Sequence, residues 1–186
     1  MAGWFKLSLL LLFLALGLDA KKEERQLKLV IDKFYVKHHA PDIFEELKCV
    51  VTQANRSYLS CNMILRRSID QAEMITNYDI IKANNQTMKL YNNRMDFCQY
   101  FTALHKVRIY RQVAKTFVAR LGEMIKCPLK PNFNYTLTDW YMDEKHVPNY
   151  LPECKYKVST KFYSYSKLIV TALNIGRFTY NNKSLL

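Results

Sequence analysis

Four histidines, a short acidic cluster and five cysteines are the side chains of this sequence whose types could do chemistry. His38 and His39 are adjacent, and neighbours on a strand point to opposite faces, so one metal ion is poorly served by both. They read as solvated histidines near the start of a domain. His105, His146 and Asp143 lie far apart in the chain and would make a site only if the fold gathered them. Asp139 and Asp143 flank Trp140-Tyr141, with Glu144 directly after. Paired carboxylates can do acid–base work, but an acidic cluster at the start of a loop accounts for the same residues. Cys154 precedes Lys155, which would lower its pKa if the thiol were free; strand cysteines are ordinarily inert or paired. No Gly-x-Ser-x-Gly elbow, His-Glu-x-x-His helix or glycine-rich phosphate loop is present. The expectation is no enzyme, with no catalytic residue, no metal and no cofactor.

The elements that must position these residues are mostly strands. Ile43, Leu47, Cys49 and Val51 alternate with Glu46, Lys48 and Thr52, and Leu59, Cys61, Met63 and Leu65 repeat the pattern after a polar break. Such alternation marks half-buried strands. Folding the segment about Asn55 sets Cys49 opposite Cys61 and Val51 opposite Leu59, close enough for a disulfide. Further strands read from Ala72 to Ile80, from Met88, from Phe133 to Tyr141 with Phe133, Tyr135, Leu137 and Tyr141 on the inward face, and from Cys154 to Phe162. The last has Tyr156, Val158, Thr160 and Phe162 on one face and Lys155, Lys157 and Lys161 on the other. A final strand from Lys167 to Phe178 is apolar on both faces, as buried strands are.

One segment has helical spacing: Val107, Tyr110, Ala114, Phe117, Val118, Leu121, Met124 and Ile125. Its other face carries Lys106, Arg108, Arg111, Lys115 and Arg120, and Pro128 sets its limit at Lys126-Cys127. A Cys98–Cys127 bond would clamp this helix at both ends and add about 3 kcal/mol by loop entropy. Connectivity is not deducible from sequence; in this scheme Cys154 is the odd cysteine. The pattern predicts a mainly β fold, an antiparallel immunoglobulin-like β-sandwich with one inserted amphipathic helix. A helix packed on one open sheet is the alternative.

The 186 residues suit one domain, and 49% hydrophobic content excludes a wholly disordered chain. Lys6 followed by the apolar run Leu7 to Leu18 reads as a secretory signal, cleaved after Gly17 or Ala20, because a bilayer-spanning helix needs about 20 residues. No later run is long enough to span, so the protein is expected to be secreted and extracellular. Sequons at Asn55, Asn85, Asn134 and Asn182, and paired cysteines, agree with export.

With 28 Lys+Arg against 16 Asp+Glu, the net charge is +12. Solvated outer faces explain most of the basic residues, and nucleic acid is not expected as a partner because no recognition motif accompanies them. The excess still favours anionic surfaces. The inner faces supply bulky, adaptable residues that suit either a filled core or a hydrophobic ligand: Leu59, Met63, Met74, Tyr78, Met88, Phe133, Tyr135, Tyr156, Val158 and Phe162.

Leu47-Lys48-Cys49-Val50, Tyr58-x-x-Cys61, Asp96-x-Cys98, Cys127-Pro128 and Leu151-Pro152, in this order, resemble the insect family called domain of unknown function 1091, over residues 43–180. Cys154 is additional to its landmarks. That family is similar to ML-type lipid-recognition sandwiches, and some relatives are linked to insect chemosensation. The resemblance implies a secreted, non-catalytic protein that holds a lipid or other hydrophobic small molecule between two sheets. The alternative is an extracellular interaction protein with a filled core, docking on a cell-surface receptor, channel or acidic surface through its basic faces. The expected organisation is a signal peptide at 1–20, an N-terminal lead-in at 21–42 that can supply an edge strand, the sandwich at 43–180 and a polar tail at 181–186.

Overall fold

A computed structural model describes residues 26–82, 84–100, 108–143 and 152–181. The signal segment, His105, His146, Glu144 and Asn182 lie outside the described residues. The strands are β1 (Gln26–His38), β2 (Phe44–Gln53), β3 (Ser57–Leu65), β4 (Glu73–Ile81), β5 (Thr87–Asp96), β6 (Asn134–Trp140), β7 (Cys154–Ser164) and β8 (Lys167–Asn181). Two helical pieces, α1 (Phe97–Tyr100) and α2 (Arg108–Val118), fall between β5 and β6. The strands form a five-stranded sheet, β1-β8-β7-β4-β5, and a three-stranded sheet, β2-β3-β6. All pairings are antiparallel. The fold is an immunoglobulin-like β-sandwich.

The alternating residues explain the register. Cys49 pairs with Cys61 and Val51 with Leu59 across the β2–β3 hairpin. β7 and β8 are joined by Tyr165-Ser166, both left-handed (φ 47° and 62°), the twist that a two-residue hairpin loop demands. β1, which falls within the segment read as a lead-in, is a 13-residue edge strand on β8. Its register shifts between Ile31 and Lys33, so Leu27, Leu29 and Ile31 share parity while Phe34 and Val36 take the opposite one.

The helical stripe is shorter than its spacing predicts. α2 ends at Val118, and the chain then runs beside β6: the Thr138 amide donates to the Arg120 carbonyl (3.0 Å) and the Gly122 amide to the Thr136 carbonyl (2.9 Å). Leu121 and Ile125 keep a helical spacing of four, but strand-type bonds to β6 satisfy the backbone here. A Cβ at Gly122 would stand 2.3 Å from Thr136 Oγ1, so glycine permits this close approach.

The sandwich has two buried clusters. One gathers Phe44, Leu65, Ile69, Leu129, Ile169 and Val170; the other gathers Ile31, Leu59, Leu137 and Trp140. On one side β1 packs on β2 and β3. A polar clasp holds that side: Ser57 Oγ accepts from the Ile31 amide (2.9 Å) and donates to Gln53 Oε1 (2.8 Å), while Gln53 Nε2 donates to the Ile31 carbonyl (2.6 Å). On the other side α1 packs on β4 and β5, and α2 packs on β6.

Candidate functional site

Between the two sheets lies a cavity of about 340 Å³. The larger sheet supplies its floor: Met74, Thr76 and Tyr78 from β4, Val158, Thr160 and Phe162 from β7, Ala172 and Asn174 from β8. The smaller sheet supplies its roof through Leu47, Leu59, Met63, Tyr135, Leu137 and Trp140. Residues of both buried clusters line it, so the cavity sits where the two half-cores do not meet. Phe97, Tyr100 and Phe117 close in from the helical side. The Trp140 indole donates to Thr116 Oγ1 (3.1 Å) and its ring lies 4.8 Å from that of Phe117, which ties α2 to β6. Among the described residues no Asp, Glu, Lys, Arg or His lines the cavity.

Both sequence-read disulfides form. Cys49–Cys61 spans the register pair, with Cα atoms 4.1 Å apart, and both of its residues line the cavity. Cys98–Cys127 joins the start of the helical segment to the loop after it. Cys154 is the free cysteine among the described residues. Burial pushes its thiol pKa up, away from what a nucleophile needs.

Seven of the residues read as ligand-facing line the cavity together: Leu59, Met63, Met74, Tyr78, Tyr135, Val158 and Phe162. Met88, Phe133 and Tyr156 do not. Met88 faces Ile80 near the far end of the β4–β5 hairpin and is 39% exposed. Phe133 precedes β6 and packs edge-on against Tyr135, centroids 4.7 Å apart. Tyr156 is buried beyond the cavity's end, its hydroxyl 3.4 Å from both the Val30 carbonyl and Asn174 Oδ1.

Sequence reading missed several walls. Phe34 and Val36 of β1 line the cavity, and their signal is the alternation with Lys33, Tyr35 and Lys37. Trp140 points inward where the pattern had assigned Tyr141. Asp139 takes a left-handed φ of 48°, and the β3–β6 register slips between Leu59 and Cys61, which changes the parity. Tyr141 instead sits outside, with the guanidinium of Arg56 4.4 Å and that of Arg120 5.2 Å from its ring centroid.

Burial pushes Tyr78 up to about 12, with Tyr91 adding to the shift, and raises Tyr100 and Tyr156 further still. These phenols are neutral hydrogen-bonding groups at any physiological pH. The Tyr135 hydroxyl accepts from the Lys130 amide (2.7 Å), which fixes its ring against the roof.

Among the described residues, no acid–base candidate lines the cavity. Asp139 Oδ1 accepts from Ser60 Oγ (3.2 Å) on the outer surface. His39 pairs with Thr171 Oγ1 (3.0 Å), while His38 packs its ring on Phe44, so the two point apart. Among the described residues no three His, Cys, Asp or Glu side chains gather in metal-binding geometry. No described helix is long and apolar enough to cross a membrane. The Asn55, Asn85 and Asn134 side chains are all exposed. Lys155, Lys157 and Lys161 line the outer face of the larger sheet.

No curated protein matches the chain. Among solved structures it is similar to chicken MD-1 complexed with lipid IVa, at 12% identity over 83% of this chain and 97% of that one, with a TM-score of 0.37. It is also similar to a Niemann-Pick type C2 protein from Japanese carpenter ant, at 14% identity over 80% of this chain and 90% of that one, with a TM-score of 0.30. The family resemblance carried by the cysteine landmarks is met over residues 76–158, from within β4 to within β7, which match the family described as Protein of unknown function (DUF1091).

Proposed function

We propose that this chain is an exported, non-catalytic binding protein that holds a lipid-like or other hydrophobic ligand between its two sheets. The observation that carries this reading is the cavity of about 340 Å³, walled by methionine, aromatic and aliphatic side chains. That size falls within the range of small-molecule pockets, roughly 300–1,000 Å³. The lining is mostly apolar, so a hydrocarbon chain entering it gains contacts along its whole length. Methionines on both walls, Met63 above and Met74 below, give the surface the adaptability to fit an irregular ligand. Export is supported by the two disulfides, which persist in oxidising compartments. A setting in insect chemosensation is the finer form of the same reading, and rests on the family resemblance.

A second reading draws on a different face. Lys155, Lys157 and Lys161 share the outer side of the larger sheet with Lys33, Lys37 and Lys89, a face that would suit docking on a receptor, channel or acidic surface. It makes no use of the cavity.

Mass spectrometry of organic extracts from the natively secreted, glycosylated protein, beside a mock purification, separates the two. A stoichiometric lipid or long-chain molecule supports the carrier. An empty extract together with no uptake of fluorescent fatty probes removes it, and strongly salt-dependent cell binding then favours the basic face.

A further inference from the structure

The floor of the cavity is not uniformly apolar. Thr160 of β7 pairs in register with Thr76 of β4, at the centre of the larger sheet, and both line the cavity. Asn174 of β8, opposite Val158 in the next row, lines it too. Thr76 Oγ1 and Thr160 Oγ1 lie 3.2 Å apart and share one hydrogen bond. Two hydroxyls carry two protons, so one O–H and several lone pairs remain unspent. The half-buried Asn174 amide is anchored at its oxygen by the Tyr156 hydroxyl, 3.4 Å away, which leaves its NH2 group facing the space that a ligand would fill. A polar group that a ligand covers is costly without a partner, so the spare hydrogen-bonding capacity of these residues marks where a ligand's oxygen belongs.

The rest of the cavity says what that oxygen is not. At the floor of the cavity a carboxylate would be largely stripped of water and would find no counter-charge among the described lining residues. A bare hydrocarbon would cover the three polar side chains and satisfy none of them. At about 340 Å³ the cavity lies at the small end of ligand pockets, roughly 300–1,000 Å³, which suits a single chain.

We propose that the cavity selects an uncharged, oxygen-bearing single-chain hydrocarbon, a medium-chain alcohol being the type case, whose oxygen docks on Thr76, Thr160 and Asn174. This rests on the carrier reading above. A hydroxyl suits the site because it both donates and accepts, and so can serve the threonine pair and the asparagine together.

The test uses the secreted, disulfide-intact protein loaded with N-phenyl-1-naphthylamine as a fluorescent probe, displaced by 1-decanol, decanoate or decane. At pH 8 decanol is expected to displace the probe at least about tenfold more effectively than decanoate, since only the neutral acid fits. Decanoate should gain as the pH falls from 8 to 5, while decanol stays flat. The double variant T76V/T160V removes both hydroxyl partners with little change of shape, and should lower the preference for decanol over decane by about tenfold. Decanoate binding as tightly as decanol at pH 8 would overturn the proposal and leave the carrier reading standing; this comparison needs no variant. An unchanged decanol preference in a folded T76V/T160V protein would overturn it equally. Failure of the probe and all three compounds to bind would remove both.

Discussion

Gly176 lies under the ring of Tyr156: a Cβ at that position would stand 2.1 Å from the Val30 carbonyl oxygen and 2.5 Å from the Tyr156 hydroxyl. The two residues face each other in the β7–β8 register, and the contact lets the tyrosine lie flat at the end of the cavity and hold Asn174. Backbone on one side and a buried ring on the other leave little room to give. G176A is therefore expected to destabilise the fold by about 1–3 kcal/mol through overpacking. Urea denaturation checks it; a midpoint equal to wild type would mean that the strands separate at no cost.

The clasp on the closed side of the sandwich gives a second expectation. Ser57 is buried, and its hydroxyl serves the Ile31 amide and Gln53 at once. In S57A the amide, beside the β1 bulge, loses its acceptor inside the protein. A loss of about 1–3 kcal/mol follows, measured by the same denaturation. Amide exchange at Ile31 should quicken more than exchange in the β7–β8 ladder.

What could be read from sequence followed the alternation. Cys49, Val51, Leu59 and Cys61 keep strict period two on both arms of a hairpin, so register, disulfide and inward face were all legible. The same holds for Val158 and Phe162 on β7. The failures fall where the backbone changes parity without a signal in residue type. At the β1 bulge the inward set switches from Ile31 to Phe34, and at Asp139 it switches from Leu137 to Trp140. The end of α2 was hidden for another reason: Leu121 and Ile125 are apolar in helical spacing, but the segment's hydrogen bonds go to β6. The cavity itself was not legible, because a pattern gives the faces of two sheets and not the distance between them.

The two disulfides should differ in what they protect. Cys98–Cys127 closes a sequence separation of 29 and Cys49–Cys61 one of 12. Loop entropy alone makes the longer worth about 3.5 kcal/mol and the shorter about 3. C98S/C127S should therefore lower stability at least as much as C49A/C61A in thermal melts. Only the second pair sits in the cavity wall, so probe binding per folded molecule should change more in C49A/C61A.

Alkaline pH offers a check on the buried phenols. Tyr78 is raised by burial and by Tyr91 to about 12, and Tyr100 and Tyr156 are raised chiefly by burial. A raised pKa means that the folded state holds the proton more tightly than the unfolded chain, whose tyrosines ionise near 10. The stability these groups contribute is complete below about pH 10; Tyr78's share is lost as pH rises through about 12, and that of Tyr100 and Tyr156 is lost higher still. Phenolate absorbance should show a late step coinciding with loss of the folded circular dichroism signal. Ionisation of every tyrosine below pH 11 in a still folded protein would contradict the burial described here.

Met63 decides between an open sandwich and a filled one. It sits on β3 opposite Tyr135, in the roof of a cavity whose floor includes Met74 and Phe162. In a filled core M63W would overpack and destabilise by about 1–3 kcal/mol or more. Above a cavity the indole instead occupies vacant volume and gains dispersion contacts. The expected outcome is a melting temperature within a few degrees of wild type, with affinity for a fluorescent fatty probe reduced at least about tenfold. The two readings are taken on the same sample, so unfolding cannot imitate loss of the site. A stable M63W that binds the probe as wild type does would place the ligand elsewhere; the outer lysine face of β7 would be examined next.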